Sequence, residues 1–334
     1  MSVPNDNSGG DAVRVTPDAR DGMVRTLLGD LPALDLGVCY AHEHLVIDGG
    51  VAKIINPEIS LQDTDAAVAE VSACRRAGVG AMVDTMPADA GRNVLRLVDI
   101  SRRTGVHLLA VTGLHHARYY GERHWSELLE PAQMAELFIG DIEQGIDVHD
   151  LNGPVVRRTS HRAGLIKVAG STGGPSGRDL RTFEAAAITM ARCGVPLMTH
   201  CEGGTGGLEQ LEALAGLGVP LSRVILSHTD KVADPGYHRA LLDSGCSLVY
   251  DQGIRTPEQT ATLIGLAIDG GWLDRILVGT DGARRSLWTA LGGAPGLAAL
   301  RTGLGATVAD RWGAAASAAI WVGNPARALT LAQT

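Results

Sequence analysis

The chain has 334 residues, 45% of them hydrophobic and 20% charged, with a formal net charge of −8. That is enough chain for one large domain or two ordinary ones with an ample core. The acidic balance, with its arginines scattered, excludes the basic stripe a nucleic-acid surface needs, and no apolar run reaches the roughly 18 residues that span a bilayer.

Residues 1–23 are polar and Gly-rich and read as a flexible leader without the hydrophobic stretch of a signal peptide. A single domain then runs over 24–334. It opens on "VRTLLGDLPALDLG", which predicts a short hairpin. Eight β-rich runs follow in order: "GVCYAHEH", "VGAMVDTM", "VHLLAVTG", "AGLIKVAG", "VPLMTHCE", "RVILSHTD", "CSLVYDQ" and "RILVGTDG". Amphipathic stretches such as "LQDTDAAVAEVSACRRAG", "DLRTFEAAAITMARCG", "GLEQLEALAGLG" and "TPEQTATLIGLAIDGG" lie between them, several closing on Gly as a helix C-cap does. The longest insertion, about Tyr119 to Arg162, follows the third strand and predicts added helices. Near-continuous apolar strands fit a parallel sheet covered on both faces. Eight β/α units in one domain fit a (β/α)8 TIM barrel better than an open doubly wound sheet.

The Gly-rich stretches "GSTGGPSG" and "CEGGTGG" match neither a dinucleotide fingerprint nor a P-loop and read as mobile loops at the barrel mouth. Five cysteines (39, 74, 193, 201, 246) follow no zinc or disulfide spacing and suit a reducing cytoplasm.

In a barrel of this kind the active site lies at the C-terminal ends of the strands. Strand one ends in His42 and His44, which share one face while Glu43 points away. With 11 histidines in the chain, that spacing alone carries little. Strand four carries Lys167, strands five and six end in His200 and His228, and strand eight ends in Asp281. Each has a structural explanation taken singly; six of them converging on one axis do not. Cys201 alternates away from His200 and is not a ligand.

Lys167 is the sharpest of the set. Of 29 basic residues only Lys53, Lys167 and Lys231 are lysines. A lysine kept among apolar neighbours in so Arg-rich a chain points to chemistry guanidinium does not perform. A buried amine loses its proton readily and becomes a nucleophile, open to a Schiff base or to capture of CO2 as a carbamate. Four histidines and an aspartate around it favour the carbamate, whose two oxygens bridge cations.

This ligand order, H-x-H, Lys, His, His, Asp, resembles the binuclear amidohydrolase superfamily. "AHEHL", "VILSHTD", "ILVGTDGARRS" and "WVGNPARAL" resemble its phosphotriesterase-like branch, over nearly all of Val24 to Leu331. The resemblance implies two divalent metal ions: His42, His44 and Asp281 on the more buried one, His200 and His228 on the more exposed one, and carbamylated Lys167 between them. Zinc is the default, with Mn, Co or Ni able to substitute in vitro. It further implies attack by a metal-bridging hydroxide, with Asp281 as the catalytic proton carrier, and a homodimer.

The loops that set specificity are polar: His115, His116, Arg118, Tyr119 and Tyr120 after strand three, Arg255 after strand seven, Arg284 and Arg285 after strand eight. An acyl-chain or aryl pocket would show more Phe, Leu and Trp. His115, Tyr120, Arg255, Arg284 and Arg285 are therefore the substrate-binding candidates, and arginines suit a carboxylate, phosphate or polyol. The expectation is a lactonase for a small polar lactone, of sugar-lactone or phosphorylated sugar-lactone type. A phosphotriester or aryl-ester hydrolase, an acyl-homoserine lactonase and a non-catalytic binding protein are the alternatives.

Overall fold

The computed structural model describes residues 22–121, 123–253 and 255–332. The expected leader lies outside the described residues except for Gly22 and Met23, and Met23 already pairs with Pro32. Strands β1 (Met23–Thr26) and β2 (Gly29–Pro32) form the predicted antiparallel hairpin. Buried Leu27 at its turn donates its N–H to the Leu108 carbonyl at 2.8 Å, docking the hairpin to the N-terminal end of the barrel.

Eight parallel strands then follow in sequence order: β3 (Val38–Glu43), β4 (Val79–Asp84), β5 (His107–Thr112), β6 (Leu165–Gly170), β7 (Leu197–Cys201), β8 (Val224–Ser227), β9 (Ser247–Asp251) and β10 (Ile276–Gly279). All eight coincide with the runs read from the sequence. Helices α1 (Gly50–Ile55), α2 (Thr64–Arg76), α3 (Val94–Thr104), α4 (Pro131–Glu143), α5 (Arg178–Cys193), α6 (Gly207–Gly216), α7 (Pro235–Asp243), α8 (Pro257–Asp269) and α9 (Gly305–Ala318) lie between or after the strands, and α10 (Asn324–Ala328) packs against the barrel core. Their starts are signalled locally: Asp63 and Asn93 cap α2 and α3, and Thr256 with Gln259 forms a capping box on α8. The insertion after β5 contains α4. Its Asp141 anchors it to the barrel, pairing with Arg92 and Arg158 and accepting from Thr112.

Alternation along the strands divides the core in two. Cys39, Ala41, Ala81, Val83, Leu109, Val111, Leu165, Met198, Ile225, Val249 and Leu277 fill the barrel interior together with Val24 of the hairpin and Ala326 and Leu329 from the C-terminus. Tyr40, Met82, Leu108, Ile166, Leu226 and Leu248 face the helices. Strict alternation from Cys39 and Ala41 would turn His42 outward. A register shift between Tyr40 and Glu43, which pair with Met82 and Asp84, inserts one extra residue in β3 and reverses the phase. His42 and His44 thereby face the axis and Glu43 the helices.

Glu43, fully buried, closes the barrel between its first and last strands. Its carboxylate accepts the Thr280 N–H at 2.8 Å and the Thr280 hydroxyl, and the Asp281 N–H donates to the His42 carbonyl at 3.1 Å. A Cβ at Gly279 would stand 2.6 Å from that carbonyl oxygen, so this approach requires glycine. Burial pushes the Glu43 carboxyl up to about 8, against the lowering effect of the two Thr280 donors. Thr280→Val keeps the shape and removes the hydroxyl, and is expected to lower unfolding free energy by about 1–3 kcal/mol in urea titration.

Candidate metal centre

The C-terminal ends of the strands gather the histidines into one contiguous cluster. Ring centroids lie 5.5 Å apart for His42 and His44, 5.0 Å for His42 and His228, and 4.3 Å for His228 and His200. His228 and Asp281 both sit just past their strands with positive φ, 69° and 48°. This left-handed backbone is uncommon for non-glycine residues and turns each side chain back over the barrel. Hydrogen bonds hold both turns: the His228 N–H donates to Asp251 Oδ2 at 3.2 Å, and Asp281 N–H to His42 as above.

Asp281 is the centre of the arrangement. Its Oδ1 lies 3.3 Å from His44 Nε2 and 3.9 Å from His42 Nε2, and its Oδ2 lies 3.7 Å from His228 Nδ1. Burial alone would raise its carboxyl, but His228, His44 and His42 together hold it well below the usual carboxylate range. Burial lowers His42 to about 4 and His200 far below the ordinary imidazole value. The lowered His42 and His200 rings and the lowered Asp281 carboxyl suit the deprotonated ligands that metal binding needs. His42, His44 and Asp281 bring ligand atoms within 4.8 Å of one another, as do His42, His228 and Asp251. The donor set fits divalent cations.

Lys167 lies on the inward face of β6, 1% exposed, and donates through Nζ to Ser227 Oγ at 3.0 Å. Burial lowers its amine to about 8. The geometry therefore brings together the whole expected set, with His200 on the far side of His228 from His42.

Two carboxylates at the site were not among the candidates. Asp251 ends β9, 2% exposed, with Oδ1 2.8 Å from His42 Nδ1 and Oδ2 2.9 Å from His228 Nδ1. Glu202 Oε2 lies 3.0 Å from His200 Nε2, 3.1 Å from His116 Nε2 and 2.8 Å from the Arg118 guanidinium. Both carried a signal. Asp251 is an acid closing an apolar strand, and Glu202 stands two residues past His200, the spacing that keeps side chains on one face. Cys201, by the same alternation, faces α6, where Gln210 donates to its Sγ at 3.4 Å.

The substrate candidates divide. His115 stacks beside His200, with centroids 4.7 Å apart. The Tyr120 hydroxyl is engaged within its own loop, accepting from His115 N–H at 2.6 Å and donating to the Ala88 carbonyl at 3.1 Å. Arg255 is paired with buried Asp230, donates to the Asp251 carbonyl at 3.0 Å, and lines a cavity of about 750 Å³ among α7, α8 and α9. It is an internal counter-ion there. Arg284 and Arg285 are exposed beside Glu58, and Arg285 donates to the Ser60 carbonyl at 3.2 Å. The two Gly-rich loops pack against each other instead of standing free: Gly206, at φ 72°, approaches Gly174 so closely that a Cβ would lie 2.7 Å from its nitrogen.

Known proteins repeat this architecture. A phospho-furanose lactonase from Mycoplasmopsis agalactiae is 30% identical over 237 residues, 70% of this chain and 67% of that protein. The structure of an amidohydrolase from Mycoplasma synoviae superposes with a TM-score of 0.90 at 27% identity, covering 94% of this chain and 93% of that one. The phosphotriesterase homology protein from Escherichia coli, complexed with phosphate in its active site, superposes with a TM-score of 0.80 at 27% identity, over 89% of this chain and 99% of that one. A sequence model of the phosphotriesterase family matches residues 22–302, and the chain belongs to that family.

Proposed function

We propose that the chain is a two-metal lactonase that opens a small, polar, anionic lactone of the sugar-lactone or phosphorylated sugar-lactone type. The observation that carries this reading is Asp281, an ionised carboxylate among His42, His44 and His228 whose side chain is 27% exposed to the barrel mouth. The relative named as a phospho-furanose lactonase supports the substrate class.

In this reading His42, His44 and Asp281 would hold one cation and His200 and His228 the other, with Lys167 supplying a ligand between them. The Lys167 amine adds to CO2, forming an N–C bond and releasing one proton, and the resulting carbamate supplies two oxygens. When bound, two divalent cations, zinc by the donor set, polarise the lactone carbonyl and acidify the attacking water. Asp281 takes that water's proton at its carboxylate and returns it to the ring oxygen as the acyl bond breaks. His115 and the loop bearing Arg284 and Arg285 meet the substrate's polar groups, while Tyr120 holds the His115 backbone and Arg255 braces the end of β9 at Asp251. The working assembly is a homodimer in a reducing cytoplasm.

Carbamylation consumes the neutral amine, whose fraction rises with pH through a value of about 8. Metal-free protein given metal at a fixed concentration of dissolved CO2 is expected to regain activity faster above about pH 8 than near pH 7. The functional reading is tested on a panel of sugar, phosphorylated-sugar and acyl lactones beside aryl phosphotriesters, followed by acid release with a pH indicator. Preference for an anionic sugar lactone is expected; faster turnover of phosphotriesters or long-chain acyl lactones would overturn it.

A further inference from the structure

The loop after β5 carries an arginine that lies outside the substrate-binding candidates. Arg118 belongs to a short helical turn, Ala117–Tyr119, and its side chain is 56% exposed. Its Nη2 donates to Glu202 Oε2 at 2.8 Å. That same oxygen lies 3.0 Å from His200 Nε2 and 3.1 Å from His116 Nε2. A second route joins the guanidinium to the histidine cluster through rings. Arg118 Cζ stands 5.2 Å from the Tyr119 centroid, Tyr119 lies 4.1 Å from His115, and His115 lies 4.7 Å from His200. Arg178, at the start of α5, ties this stack down by donating to the His115 carbonyl at 2.5 Å.

Other arginines of the specificity loops are placed differently. Arg255 is held inside by Asp230, and Arg285 turns to the Ser60 carbonyl. Among the described residues, Arg118 is the arginine that shares a carboxylate oxygen with a histidine of the cluster. Glu202 and the Tyr119 ring hold its guanidinium in place, so a ligand need order little that is not already ordered. A guanidinium also carries more donors than one carboxylate oxygen uses, and this one is open to solvent.

We propose that Arg118 reads the substrate's charge: its guanidinium binds a phosphate monoester carried at the far end of the lactone. A phosphorylated sugar lactone bears that group several bonds from the carbonyl that reacts, and the width of one carboxylate separates Arg118 from His200. The planar fork of donors matches two phosphate oxygens at once. A neutral lactone with the same ring offers that fork no such partner, so Arg118 acts on the choice between lactones.

The inference rests on the reading of the chain as a lactonase for anionic lactones, and the test separates their failures. Metal-loaded wild-type protein is assayed on a phosphorylated pentonolactone and on the same lactone without its phosphate. Preference for the neutral lactone, or hydrolysis of neither, overturns the functional reading and this inference with it. Where the phosphorylated lactone is preferred, Arg118→Met is compared in the same assays, a substitution its exposed position tolerates. The ratio of the two kcat/KM values, phosphorylated over neutral, is expected to fall about 10–100-fold, carried by KM. An unchanged ratio overturns the proposal even where both rates fall together, since Arg118 would then only brace Glu202. Bound metal, measured in the same preparations, is expected to match the wild type. A loss of metal overturns the proposal by showing that Arg118 acts on His200 through Glu202.

Discussion

Lys167→Ala is expected to abolish turnover while leaving a folded barrel, and short carboxylic acids are expected to restore part of it. The amine is 1% exposed, with Ser227 Oγ 3.0 Å away, so nothing outside the site depends on its charge. If its carbamate joins the two cations, its removal forfeits several kcal/mol of transition-state stabilisation, roughly three or more orders of magnitude in kcat/KM. Truncation leaves a cavity next to Ser227 large enough for acetate or propionate to supply the missing oxygens. The check is activity with and without these acids, beside far-UV circular dichroism to verify the fold. Near-normal rates in the variant without any added acid would remove the carbamate from the mechanism.

Asp281→Asn is the second large effect. The amide preserves size and the backbone N–H bond to His42 but neither takes nor returns a proton. A fall in kcat of about 10²–10⁴-fold is expected at saturating metal. The loss should be smaller for lactones or esters with acidic leaving groups, which depart without a proton. A uniform loss across leaving groups would instead assign Asp281 to holding metal alone. Measuring bound metal in the same preparations keeps the two effects apart.

The fold was legible because each strand of the barrel is a short apolar run punctuated by turn residues, and parallel strands buried on both faces leave that mark in the sequence. The cluster of strand-end polar residues was legible for a related reason: polar residues at the ends of such runs have few other reasons to be there. The phase of the first strand was not. Alternation places His42 and His44 on one face, but the choice of inward rather than outward is made by an extra residue between Tyr40 and Glu43, and a bulge is a property of two strands at once. The internal pairing of Arg255 was not legible for a like reason, since its partner Asp230 comes from the loop after a different strand. Asp251 and Glu202 needed no structure to be noticed, only the strand-end criterion applied to acids as evenly as to histidines.

The closure through Glu43 and Thr280 joins residues 237 positions apart in the chain. The residues that lock the barrel stand next to those proposed to hold the more buried cation: His42 and His44 flank Glu43, and Asp281 follows Thr280. During synthesis, therefore, no nascent chain that stops short of Asp281 carries both sides of the group formed by His42, His44 and Asp281. Contacts of such long sequence separation are slow to form. The side chains gathered at the first strand's end therefore meet Asp281 only when the barrel's own ring of strands is closed, which ties the geometry of the site to the completion of the fold.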